Sequence, residues 1–275
     1  DAANALLTAV VNAPDVLNGA ALEVADFDAL LAEGLTPPDA QLCERQDGAN
    51  LFYLGKCHTL QGEPESGKTW VALFCAKQVM DAGGSTVFLD YEDTARTIYA
   101  RLLTIGCTAE QLRGQFRYVR HDMELGVAEI TRLDEIITQA NPDLVVIDGV
   151  AEAVSRQGWS EDSSQEFLQW ANLVPRRFAR SGAAVVTLDH VVKNKEEQGR
   201  YARGSGAKLA YIDGAVFVVK KVRAFSRQRP GSLQLTVAKD KPGGVGATGE
   251  HVGLLHVVPH GDGERVELSL AVPAQ

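Results

Sequence analysis

No run of about 18 apolar residues occurs in the chain, which excludes a membrane-spanning helix from the sequence. The opening Asp1-Ala2-Ala3 shows no basic segment ahead of an apolar one, so no secretory signal is expected. Cysteine is scarce. Cys43, Cys57, Cys75 and Cys107 form no C-x-x-C pair and read as buried free thiols of a reducing compartment, the cytoplasm. Positive charge is in deficit, with 27 Lys and Arg against 36 Asp and Glu and a net charge of −9 at pH 7. Nucleic acid could then be held only by a local basic patch. There is no internal repeat and no low-complexity tract. Of the 275 residues, 45% are hydrophobic, ample for a sizeable core.

Against these absences stands one strong motif, Gly62-Glu63-Pro64-Glu65-Ser66-Gly67-Lys68-Thr69, followed by Trp70. It fits G-x-x-x-x-G-K-[ST], the loop that wraps phosphate with backbone N–H groups. Lys68 can reach the β- and γ-phosphates, and the Thr69 hydroxyl can ligate Mg²⁺. A helix opening at Lys68 adds its positive end to the anion site. A nucleoside triphosphate and Mg²⁺ are the expected ligands, with residues 62–70 forming the nucleotide site.

From Leu51 onward strands and helices alternate. Strands are predicted at Cys57–Gln61, Thr86–Leu89, Gln115–Val119, Leu144–Ile147 and Ala184–Leu188. Helices are predicted at Thr69–Ala82, Thr94–Ile105, Arg132–Gln139 and Ser164–Arg180, the last kinked near Pro175. Apolar runs such as Leu144-Val145-Val146-Ile147 suit strands buried on both faces of a mainly parallel sheet. After Ala210 four strands follow without helices, at Ala215–Val222, Ser232–Ala238, Val252–Val258 and Arg265–Ala271, as an antiparallel meander continuing the sheet. The expected class is α/β. Residues 1–50 form an N-terminal extension with short helices at Ala5–Val11 and Phe27–Leu35, and residues 51–275 form the main domain.

Around the loop a constellation assembles. Asp148 ends the buried run 144–147, where an acid holds Mg²⁺, often through water. Asp90-Tyr91-Glu92-Asp93 ends the second strand. Glu92 is the candidate to orient or deprotonate water. Asp93 is a candidate helix cap, and Asp90 a candidate neighbour of the magnesium shell. His190 ends the strand Val186-Thr187-Leu188-Asp189 and is placed to sense the γ-phosphate. Residues 193–208 and 220–229 are basic against the acidic background. They read either as phosphate contacts for nucleic acid or as a solvated loop and hairpin. Aromatics among them are few, Tyr201 and Phe225. Lys239-Asp240-Lys241, ahead of Pro242-Gly243-Gly244, reads as a rigid outward-facing pair able to complete a neighbour's site.

Taken in order, these motifs resemble the RecA-like hexameric helicase group, above all RepA-type plasmid replicative helicases and related phage ATPases. The likeness covers about residues 50–245. It includes Phe88-Leu89-Asp90-Tyr91-Glu92-Asp93 with Arg101-Leu102-Leu103-Thr104-Ile105-Gly106, then Leu188-Asp189-His190, Ala202-Arg203-Gly204-Ser205-Gly206-Ala207, and Val237 to Gly243. The resemblance implies Glu92 as catalytic carboxylate and Arg203 as a finger reaching an adjacent subunit, with Lys239 and Lys241 acting in trans. It also implies a ring-shaped homo-oligomer, a hexamer, that hydrolyses ATP, moves on single-stranded DNA and works with other replication proteins. The sequence departs from the pattern at Glu63 and Glu65, where relatives carry smaller or basic residues, and in the mixed charge of residues 156–162. Two alternatives stand beside the helicase: a RecA/RadA-like recombination or loading ATPase without unwinding, and a nucleotide-gated interaction protein. A GTPase fits poorly, because Asn194-Lys195-Glu196-Glu197 misses N-K-x-D.

Overall fold

The computed structural model describes residues 25–34, 38–190, 205–261 and 263–273. Nine strands form one sheet in the order β3-β2-β4-β5-β1-β6-β7-β8-β9. The strands are β1 (Cys57–Gly62), β2 (Thr86–Asp90), β3 (Phe116–Arg120), β4 (Leu144–Asp148), β5 (Ala184–His190), β6 (Ala215–Arg223), β7 (Gly231–Asp240), β8 (His251–His260) and β9 (Arg265–Ala271). The first five run parallel to one another, β6 also runs parallel to β1, and β6 to β9 pair antiparallel. The α/β class with a parallel centre and antiparallel end is as the sequence predicts.

Alternation along the strands explains the two cores. Phe88, Leu144 and Val146 point to one face, with Leu60 and Val186. Val87, Leu89, Val145, Ile147 and Val185 point to the other. The first face is covered by helix α2 (Lys68–Asp81), with α3 (Ala95–Thr104) and α4 (Ala109–Gly114) beyond it. The second is covered by α5 (Val127–Ala140), α6 (Val150–Ser155), α7 (Ser164–Leu173), α8 (Pro175–Arg180) and α9 (Ser205–Tyr211). A strand buried on both faces needs apolar residues at every position, which is why 144–147 is a continuous apolar run.

Several local expectations change. The helix predicted over 164–180 is two helices, because Pro175 has no N–H to continue the ladder and instead starts α8 at its first position. Helix α5 begins at Val127 rather than Arg132, since the Glu129 side chain accepts from the Gly126 N–H at 2.9 Å and fixes the entry. Helices α4 and α6 are additional to those predicted, and α4 is capped by a reciprocal Thr108–Gln111 box. Ser205 to Lys208, expected in a loop, open α9. Near the N-terminus, α1 (Phe27–Glu33) is capped by Asp26, and a bridge between Leu42 and Phe52 brings Cys43 into the main core. The predicted helix 5–11 lies outside the described residues.

Candidate active site

Parallel register does the first work of assembly. Gly62 pairs with His190 across β1 and β5, and Asp90 pairs with Asp148 across β2 and β4. The ends of four strands therefore lie along one edge of the sheet, where open α/β sheets bind ligands. Here opens a cleft of about 710 Å³ whose wall includes Lys68, Thr69, Glu92, Asp148 and His190.

The phosphate loop joins β1 to α2. Gly67 is left-handed, at φ 97°, and a Cβ there would stand 2.5 Å from the Leu233 side chain. No other residue type meets both demands. Glu65, two residues before it, also has positive φ, 59°, without glycine's freedom, so the loop carries backbone strain at an exposed acid. The Ser66 hydroxyl is buried with no hydrogen-bond partner. Lys68 Nζ turns back and donates to the carbonyls of Gly62 and Glu63 at 3.0 and 3.1 Å. An orphaned buried hydroxyl, a buried ammonium and the first N–H groups of a 14-residue helix are the groups that a bound phosphate chain satisfies. The residues present thus fit a nucleoside triphosphate.

Behind the loop, Thr69 Oγ1 donates to Asp148 Oδ2 at 3.0 Å. Burial, reinforced by the charge of Glu92, lifts the Asp148 carboxyl to about 7, against the pull of the Thr69 hydrogen bond. A buried carboxylate lacking a full counter-charge, beside a hydroxyl, is a hard-oxygen donor set that suits Mg²⁺. Burial lowers the Lys68 pKa, opposed by Asp148, Glu92 and Asp189.

Glu92 and His190 complete this end. His190 Nδ1 is 3.4 Å from Lys68 Nζ, and its Nε2 is 3.6 Å from Glu92 Oε1. An ammonium only donates, so its bond to Nδ1 places the proton of a neutral ring on Nε2, facing Glu92. Burial raises the Glu92 pKa, Glu152 raises it further, and His190 and Lys68 hold it down. Gly149 follows Asp148 with φ 92°, and a Cβ there would lie 2.8 Å from Glu92 Cγ. Glycine at this point lets the carboxylate reach the cleft.

Other predicted residues take different tasks. Asp90 pairs with Asp148 across β2 and β4; its Oδ1 accepts from the Glu92 and Asp93 N–H groups, and its Oδ2 from the Tyr118 hydroxyl. It braces the turn that presents Glu92. Asp93 does not cap α3; Thr94 does, while Asp93 pairs with Arg101 at 3.5 Å. Lys239 is not presented outward. Its Nζ donates to the Leu209 and Ile212 carbonyls at 2.6 and 2.7 Å, holding the end of α9. Lys241 is exposed, and Asp240 between them accepts from the Val245 N–H at 2.7 Å, fixing the turn. Arg203 lies outside the described residues. Glu152, Arg101, Lys221 and Phe225 also line the cleft. The sequence offered no place in the nucleotide cleft for any of them; Lys221 and Phe225, read there only as part of a basic segment, come from a hairpin far along the chain.

Asp189, next to His190, is buried and meets Lys208 Nζ of α9 at 3.2 Å, and Lys208 also pairs with Glu161. The Asp189 carboxylate in addition accepts from the His190 N–H at 2.8 Å. Among the described residues no cluster of three or more His, Cys, Asp or Glu is arranged to hold a metal by itself, and no helix is long and apolar enough to cross a membrane.

Among known families, AAA_25 (AAA domain) matches residues 22–196. Similar curated proteins include Protein RecA of Picosynechococcus sp., 31% identical over 129 residues, which are 47% of this chain and 35% of that protein. Protein RecA of Lactococcus lactis subsp. cremoris is 32% identical over 109 residues, 40% of this chain and 26% of that protein. Protein RecA of Malacoplasma penetrans is 29% identical over 115 residues, 42% of this chain and 32% of that protein. The matches thus span about a quarter to a third of the length of these relatives.

Proposed function

The chain belongs to the AAA_25 family of AAA domains, and from that premise we propose that it is an ATP-hydrolysing, oligomeric motor acting on single-stranded DNA in replication, as a helicase or translocase. The observation that carries the ATPase part is the contact chain Lys68–His190–Glu92 beside Thr69–Asp148. Lys68 leaves the loop carbonyls for the phosphates. Glu92 orients a water and accepts its proton, helped by a carboxyl whose pKa is already raised. His190 touches both and so links γ-phosphate contact at Lys68 to the position of the carboxylate. Mg²⁺ held by Thr69 and, through water, by Asp148 would neutralise the phosphate charge.

Arg203 and Lys241 are proposed to enter a neighbouring subunit's site, which makes turnover depend on assembly. The fixed turn at Asp240 and the exposure of Lys241 support this role. Lys239 supports it from behind by holding α9. A second reading, a RecA-like recombination or loading ATPase without unwinding, is supported by the three relatives described above, each named Protein RecA.

The deciding experiment measures ATP hydrolysis with and without single-stranded DNA on oligomers resolved by size, with electron microscopy of the same samples. Closed rings with DNA-stimulated turnover support the motor, and open helical filaments support the second reading. Full activity in a verified monomer, unchanged by DNA, refutes both.

A further inference from the structure

The cleft continues beyond the phosphate loop, and its other wall has a different chemistry. Trp70, one residue after Thr69, and Phe225, between β6 and β7, meet edge to face with ring centroids 5.9 Å apart and planes at 85°. The Arg101 guanidinium of α3 stands over the Trp70 ring at 5.9 Å. All three line the cleft that holds Lys68 and Asp148, and all three are only partly buried. Lys221 of the same hairpin adds positive charge to the wall.

The hairpin is fixed to the phosphate loop rather than hanging free. Its strand β6 pairs with β1. A Cβ on Gly62 would come within 2.7 Å of the Val219 carbonyl, and Leu233 of β7 packs directly on Gly67. The distance from phosphate loop to Phe225 is therefore set by the sheet. A T-shaped pair engages one edge and one face. With Arg101 over Trp70 and both rings only partly buried, a third planar group can add to this stack from the cleft.

We propose that Trp70, Phe225 and Arg101 form a nucleobase subsite, in which the planar heteroaromatic base of a nucleoside triphosphate stacks against Phe225 and the Arg101–Trp70 pair while its phosphates lie on the loop. The proposal rests on the nucleotide-binding reading of the cleft. It assigns the hairpin β6–β7 a role in holding nucleotide, separate from any contact its cations make with nucleic acid. Two kinds of surface then meet in one cleft, an anion cradle at Lys68 and a stacking platform at Phe225. This is the pattern of ligand sites that combine apolar lining with a few placed polar groups.

The test compares Mg·ATP with Mg·tripolyphosphate, which lacks base and sugar, by calorimetry on the wild type, Phe225→Ala and Phe225→Tyr. Base–aromatic stacking predicts about a tenfold loss of ATP affinity in Phe225→Ala. Tripolyphosphate affinity stays unchanged, which also shows that the variant is folded, and Phe225→Tyr keeps wild-type affinity. An unchanged ATP affinity in Phe225→Ala overturns the proposal, as does an equal loss for both ligands. A wild type that binds neither ligand refutes the nucleotide reading itself, and one that binds both equally refutes the subsite alone.

Discussion

Replacing Asp148 by Asn removes one ionisable group from the floor of the cleft and leaves its shape nearly intact, because an amide oxygen can still accept from Thr69 Oγ1. Burial and the Glu92 charge raise this carboxyl from an ordinary 3.8 to about 7 in the folded protein. The sign follows from proton counts. Below both values the carboxyl is protonated folded or unfolded, and the substitution changes little. Between them only the unfolded chain is ionised, so the wild type loses stability as pH rises, until the loss is complete above the folded value. The loss is on the order of 1.5 kcal/mol at about pH 5 and on the order of 4 kcal/mol at about pH 8. Asp148→Asn should therefore gain roughly 3 kcal/mol more over the wild type at about pH 8 than at about pH 5, in urea titrations without divalent cation. Saturating Mg²⁺ should stabilise the wild type at the higher pH and the variant much less, since a ligand stabilises only the state that binds it. ATP hydrolysis should be lost in the variant. A gain that is the same at both pH values, or a variant less stable at the higher one, would show that no buried charge is being relieved.

His190→Ala should lower kcat by about a hundredfold, the scale of a group that positions a general base, with ATP affinity nearly unchanged; a binding defect of the same size would mean that the ring holds nucleotide instead. Glu65→Gly should raise stability by about 0.5–1 kcal/mol in urea, because a left-handed residue is released from strain and glycine's extra unfolded-state entropy offsets only part of it. Lys208→Met should destabilise by about 2 kcal/mol or more by leaving buried Asp189 without its cation, and the added change Asp189→Asn should recover much of that loss in a double-mutant cycle.

Much of the candidate site was legible in the sequence because strand ends announce themselves locally. Asp148 directly follows an apolar run, His190 ends a buried strand, and parallel register carries both to the same edge as Gly62. Helix α4 was missed although its Thr108–Gln111 capping signal is present, since six residues give too little periodicity to separate it from a loop. Helix α9 was missed because Ser205, Gly206 and Ala207 read as loop, while Lys239, 34 residues beyond Ser205, supplies the bonds that hold its far end. Asp90 lies beside Asp148 through the β2–β4 register, and the hydroxyl that binds its Oδ2 comes from Tyr118 of the adjacent strand, a partner that local spacing does not record.

By itself, the sequence determined the phosphate loop, the α/β alternation and the carboxylate and histidine that face the loop, because each depends on residue type at fixed spacing within one strand–loop–helix unit. Only the tertiary structure decided which side chains meet across units. It put Lys68 against His190 and His190 against Glu92, turned Lys239 inward, and carried Phe225 some 155 residues along the chain to Trp70. Those contacts follow from sheet order, β1 lying between β5 and β6. Strand order is chosen by burial of the whole sheet between its helices, a collective property that no local spacing records.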